Sequence, residues 1–234
     1  MILDKVFPPD PRVENEAIEL IKNGHEVFLF CLTYDDEKAN EVINNINVKR
    51  YKTTKLDYKM SALAYTIPFY SFVMKKKIKS FLISNKIEAI HIHDIRIAEA
   101  SFLANENFNL PVVLDLHDNM PEVMKFYPHL QKFPGKYIIS PKNWKQKEEE
   151  FIKRSDKLIT VSQEFVDELI NRTKILKEKV VLVPNTIRKS FYNSFKVDNE
   201  IVNKYKNNFV VLYLGDTHIR RGLLTVIRSV EKLK

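Results

Sequence analysis

The chain has 234 residues, 44% hydrophobic and 11% aromatic, which is enough for a globular core of one large domain, or of one domain and part of another. A net charge of +8 and a pI near 9.3 favour an anionic partner such as nucleic acid, lipid headgroups or a nucleotide. Cys31, the single cysteine, excludes a disulfide framework and a cysteine-based metal site.

In chain order, the hydrophobic residues 1–3 and the run EVFLFCL from Glu26 are expected strands. Between them lies a helix with Val13, Ala17, Leu20 and Ile21 on its apolar face and Gly24 where a C-terminal cap belongs. The joining turn, FPPDP, has no glycine. Its prolines fix backbone dihedrals and remove N–H donors, so it cannot cradle a phosphate on backbone amides. It instead holds Arg12 at the helix start, where the helix dipole disfavours a cation. Either a bound anion or pairing with Asp10 or Glu16 accounts for that. The chain reaches Asp4 and Lys5 before a signal-peptide apolar region could form, so a cytoplasmic protein, at most peripheral to a membrane, is expected.

Further strands are expected at NVKRYK from Asn47, EAIHIH from Glu88, VVLDLH from Val112, KLITV from Lys157, VVLVP from Val180 and FVVLYL from Phe209. Ser162 is a natural N-cap for QEFVDELI. The longest uncharged run, residues 61–74, contains Pro68 and is shorter than the roughly 20 residues of a membrane span. Because KKKIK follows it, segment 61–79 is either a core helix ending in solvated lysines or an element resting on an anionic membrane surface.

Strands alternating with helices at this spacing predict an α/β fold, a doubly wound, mostly parallel sheet covered on both faces. Such sheets take ligands beyond the carboxyl ends of their strands. Two of those ends carry HIHD and DLHD, and the period of two puts His91 and His93 on one face. His93, Asp94 and Asp118 either converge on a ligand or cap turns; Asp94 could serve as a helix N-cap. A His-x-His pair can begin a zinc site, but zinc takes three or four ligands and no further His or Cys cluster has ligand-like spacing. A metal-dependent hydrolase using His91 and His93 is therefore kept only as an alternative, and no metal or cofactor is expected.

Five segments in order resemble those of a family-4, GT-B type retaining glycosyltransferase: FPPDPRVENEAIELIKNGHEVFLF, VVLDLHDNMPE, SDKLITVSQEF, VVLVPNTIRKSFY and VVLYLGDTHIRRGLLTVI. The resemblance implies an N-terminal, acceptor-side Rossmann-like domain over 1–187. Residues 188–234 would be a linker and the first strand and helix of an incomplete, donor-binding second domain. The family's Glu-x7-Glu motif lies further into that domain, so these residues alone are expected to be inactive. Two positions depart from the family pattern. Thr186 follows Asn185 where a glycine is usual, and Asp216 stands where a second donor-binding arginine is common.

The resemblance also implies roles. His117 would hydrogen-bond the donor sugar at the catalytic centre, with Arg12, His93, Asp94, Asp118 and Glu122 on the acceptor side of the cleft. Gly215, Arg221 and Gly222 would hold the donor diphosphate. The implied reaction moves sugar from a nucleotide sugar to a saccharide or lipid-linked saccharide, as in polysaccharide biosynthesis. A sugar-nucleotide epimerase of the same fold is one alternative. A basic nucleic-acid-binding module is another, but the basic residues are scattered among acids without a recognition motif, so no nucleic acid is expected.

Overall fold

The computed structural model describes residues 1–232. Two compact units divide the chain, Met1–Thr186 and Ile187–Lys234. In the first, the elements run β1 (Ile2–Leu3), α1 (Pro11–Lys22), β2 (Phe28–Thr33), β3 (Asn40–Ile43), β4 (Ile46–Lys52), α2 (Lys55–Ser61), α3 (Phe69–Ser84), β5 (Ile90–His93) and α4 (Ala98–Asn105). They continue with β6 (Val112–Leu116), α5 (Met120–Met124), α6 (Gly135–Ile138), α7 (Pro141–Arg154), β7 (Lys157–Thr160), α8 (Gln163–Thr173) and β8 (Val180–Leu182). The second unit holds α9 (Lys189–Tyr192), α10 (Asn199–Lys204) and α11 (Leu223–Val230).

One eight-stranded sheet has the order β3-β4-β2-β1-β5-β6-β7-β8, parallel except for the β3–β4 pair. The sequence expectation of a doubly wound α/β sheet is met, with one unforeseen strand. That strand, β3, turns into β4 through Asn44 and Asn45 at φ 49° and 65°. Both central residues of this tight hairpin need positive φ, which asparagine tolerates.

Alternation along the strands sorts side chains into two buried layers. Leu3, Leu29, Cys31 and Val48 face Val13 and Ala17 of α1. Ile2, Phe30, Ile92, Leu114 and Leu158 face the larger layer with Met74, Ile78, Phe81, Trp144, Phe151 and Leu169. Local chemistry sets the helix ends. Asp10 caps α1 by accepting from the Val13 N–H (3.2 Å), and Gly24 at φ 87° ends it. Ser162 accepts from the Phe165 N–H (3.3 Å) and starts α8.

The proline turn is held from outside. Arg50, buried on β4, donates to the Phe7 carbonyl from Nε (3.3 Å) and Nη2 (3.2 Å) and pairs with Glu41 (2.9 Å) and Glu37 (3.3 Å). Segment 61–79 becomes the end of α2, a loop and most of α3; Tyr70, Met74 and Ile78 enter the core while Ile67, Phe69 and Phe72 stay exposed. Among the described residues, no helix is long and apolar enough to cross a membrane.

The expected strand FVVLYL does not form: residues 209–214 carry no strand, and Phe209 and Leu214 are almost fully exposed. A strand exists through pairing, and the described residues of this unit contain no second strand to pair with it. The helix expected after it is present as α11.

Candidate functional site

The chain leaves β1 for β2 on one side of the sheet and later returns through β5 on the other, so the strand order reverses between β1 and β5. A crevice at the carboxyl ends of strands at such a reversal is where open α/β sheets take ligands. Four polar side chains follow the strands there: Asp4 after β1, Asp94 and Arg96 after β5, and His117 after β6.

Asp94 has φ 80° and ψ 149°, a conformation that non-glycine residues hold only under constraint. Its carboxylate accepts from the Ile95 N–H (2.9 Å), so the cap expected from sequence is present, on a single 3-10 turn, Ile95–Ile97. The other carboxylate oxygen, Oδ2, lies 3.7 Å from His117 Nε2. His117 Nδ1 is buried without a hydrogen-bond partner among the described residues. Both carboxylate oxygens of Asp4 are likewise buried and unpartnered, with Arg96 Nε 3.5 Å from Oδ2. Burial pushes the Asp4 carboxyl up against the pull of Arg96, and Asp4 in turn holds the Arg96 guanidinium charged. Buried polar atoms without hydrogen-bond partners at these strand ends, Asp4 Oδ1 and Oδ2 and His117 Nδ1, suit a polyhydroxylated ligand, whose hydroxyls can pair with them.

A second polar cluster lies under α1. Arg12 and Glu16, one turn apart, meet His91, His93 and Asp115 of the adjacent β5 and β6, where His93 and Asp115 are register partners. Arg12 contacts Asp115 Oδ2, and its Nη2 lies 3.9 Å from Asp10. His93 Nδ1 is 3.1 Å from Asp115 Oδ2, and its ring lies against His91 with centroids 4.2 Å apart. Burial keeps both imidazoles neutral, and burial with the Asp115 charge lifts Glu16 to about 8. The expected pairing with Asp10 is present, but the guanidinium is turned inward on a second, buried carboxylate, that of Asp115, and not on an open anion site.

Among the residues singled out from sequence, Asp94 and His117 come together, while Arg12 and His93 belong to the cluster under α1. Asp118 is exposed, and Glu122 is engaged by Lys125 (2.6 Å). Gly215 (φ 156°) and Gly222 (φ 68°) belong to the second unit, where Gly222 caps α11 and the half-exposed Arg221 lies 3.7 Å from Asp216. Sequence reading missed Asp4, Arg96, Glu16 and Asp115. For Asp115 a signal existed, a charged residue inside an apolar strand, which requires a buried partner.

Comparisons with known proteins follow the same lines. The profile of Glycosyltransferase Family 4 matches residues 12–191. No curated protein matches the chain. Among solved structures, sucrose-phosphate synthase from Thermosynechococcus elongatus is similar with a TM-score of 0.58 at 14% identity, over 83% of this chain and 46% of that one. A second structure of that synthase gives 0.55 at 13% identity, over 88% of this chain and 95% of the other. A glycosyltransferase from Rickettsia africae ESF-5 gives 0.50 at 13% identity, over 90% of this chain and 49% of that chain. At such identities the likeness is one of fold, and this chain spans about half the length of the first and third structures.

Proposed function

The chain belongs to glycosyltransferase family 4, and from that premise we propose that it forms the acceptor side of a retaining hexosyltransferase. The enzyme moves sugar from a nucleotide-sugar donor to a saccharide or lipid-linked saccharide acceptor. One observation carries the reading: His117, with a buried and unpartnered Nδ1, stands at the sheet's reversal point beside a strained Asp94.

In such a transfer, negative charge grows on the leaving diphosphate and oxocarbenium character on the sugar. A histidine fixed by its neighbours can hydrogen-bond a sugar hydroxyl and keep the ring aligned as the bond breaks. Asp94, 3.7 Å from the other ring nitrogen, favours the tautomer with its proton on Nε2, which leaves Nδ1 to accept from a sugar hydroxyl. Cations at the diphosphate would come from the second unit, where Arg221 precedes Gly222 and the N-terminus of α11.

Exposed apolar residues support an acceptor held at an anionic membrane. Thr66 Oγ1 donates to the Ile138 carbonyl (2.8 Å), so the loop with exposed Ile67, which leads into exposed Phe69 at the start of α3, borders the segment bearing exposed Phe133 and Tyr137. Lys76 and Lys79 follow on α3, a pattern suited to an anionic bilayer surface.

The test is incorporation of radiolabelled sugar from a set of nucleotide sugars by the full-length natural protein with membrane extract. Transfer is expected, and His117→Ala should lower it by roughly 10²-fold at unchanged melting temperature. Wild-type rates in His117→Ala would overturn the assignment. An isomerised nucleotide sugar without transfer would favour the epimerase.

A further inference from the structure

We propose that Glu16, His91, His93 and Asp115 form a binding site for a divalent transition-metal ion of the zinc class, set between α1 and the sheet. One donor atom from each residue lies within 4.8 Å of those from the other three. The sequence expectation of no metal rested on the lack of a third ligand near His91 and His93; α1 and β6 supply the third and fourth through the fold.

The two spacings to Glu16 suit a shared ion better than direct hydrogen bonds. His91 Nε2 and Glu16 Oε2 are 3.5 Å apart, and His93 Nδ1 and Glu16 Oε2 are 3.9 Å apart. These exceed good hydrogen-bond lengths of about 2.7–3.2 Å. They approach the ligand-to-ligand edge of roughly 3.4 Å that follows from tetrahedral bonds of about 2.0–2.1 Å to zinc. Glu16 Oε2, His91 Nε2 and Asp115 Oδ1 are buried without hydrogen-bond partners among the described residues, while His93 Nδ1 has Asp115 Oδ2 at 3.1 Å. Buried polar atoms left without partners are costly unless something further binds them.

The donor set fits the ion. Two imidazoles and two carboxylates are usual zinc ligands. Arg12 occupies Asp115 Oδ2 but leaves Oδ1 open, so one carboxylate can serve both the guanidinium and the metal. His93 and Asp115 are fully buried, which fixes half of the ligand set. Entry is available through His91, which also lines a cavity of about 770 Å³ at the amino ends of β1, β2 and β5. Its role would be structural, pinning α1 and Arg12 to the sheet.

The assignment is independent of the transferase reading and is tested on the chain itself. After chelator treatment and dialysis, Zn²⁺ is titrated against a chromophoric indicator, with Co²⁺ as a spectroscopic substitute. One equivalent of Zn²⁺ should bind, and Co²⁺ should give the strong visible bands of a four-coordinate ion. His91→Ala and Glu16→Gln alter ligands at the partly exposed rim, where folding is readily checked by circular dichroism, and each should weaken binding at least about 10-fold. No Zn²⁺ uptake by the wild-type chain would overturn the proposal. So would undiminished binding in both variants, since the ion would then sit elsewhere.

Discussion

Asp94 offers a direct measurement of strain at the candidate site. Its φ of 80° and ψ of 149° lie where glycine alone rests easily. Holding another residue there costs roughly 1–3 kcal/mol. Asp94→Ala and Asp94→Gly both remove the carboxylate and its 2.9 Å bond to the Ile95 N–H, so comparing the two isolates the backbone. At an unstrained position glycine is the less stable of the pair by about 0.5–1 kcal/mol, through its freer unfolded chain. Here the order should reverse, with the glycine variant ahead by about 1–2 kcal/mol. Urea unfolding would read this as a higher midpoint at unchanged slope, and thermal unfolding as a gain of about 2–4 °C per kcal/mol. Both variants should lose transfer activity in the full-length protein, since both leave His117 without its neighbouring carboxylate. An alanine variant as stable as the glycine variant would refute the argument that this strand end stores strain for function.

Glu148 is fully buried on α7, and burial lifts it to about 7 despite its bond to Arg172. A carboxyl raised in this way contributes stability below its unfolded value of 4.5, lost as pH climbs through about 7. Glu148→Gln should therefore resemble wild type near pH 5 and exceed it by about 3 kcal/mol above pH 8, because Arg172 keeps Glu149 and Glu168. Equal destabilisation at both pH values in urea titrations would mean the ionised pair is net stabilising. Replacing Lys76 and Lys79 by Gln should reduce cosedimentation with anionic vesicles about 30-fold, at roughly 1 kcal/mol per lysine. Wild-type protein that ignores such vesicles would end the membrane proposal. In the full-length protein Arg221→Ala should cut turnover about 10²-fold, with partial recovery in Arg221→Lys, and no change in melting temperature. Full activity in Arg221→Ala would mean that the turn has no part in donor binding.

The sequence carried the signals whose physics is local. Asp10, Pro11 and Gly24 delimit α1, Ser162 starts α8, and the apolar runs became strands because a covered parallel sheet buries them on both faces. Two misreadings show where local signals stop. The segment 40–43 is too polar to read as a strand, and only the asparagine pair after it marked the hairpin. Residues 209–214 have every strand propensity and no partner. The two polar clusters depend on register: nothing local says that Asp115 lies opposite His93, or that Glu16 of α1 comes down on His91. His117 and Asp94 were legible because they sit directly after strands, and the sheet's order then brings them together.

The centre of the sheet is also its shortest strand. β1 pairs with β2 at Ile2 and Phe30, and with β5 at only Ile2 and Leu3, whereas β2 and β4 pair from Phe28 to Thr33. Backbone bonding therefore thins along the line that separates the hairpin half from the β5–β8 half. There, Ile2 in one layer and Leu3 in the other, both fully buried, add packing to the bonds from Phe30 N to Met1 O and from Leu32 N to Lys5 O. Asp4 follows that short strand, and Asp94 and His117 follow β5 and β6 beside it. The candidate site thus gathers residues from both sides of the line where the sheet's strand pairing is shortest.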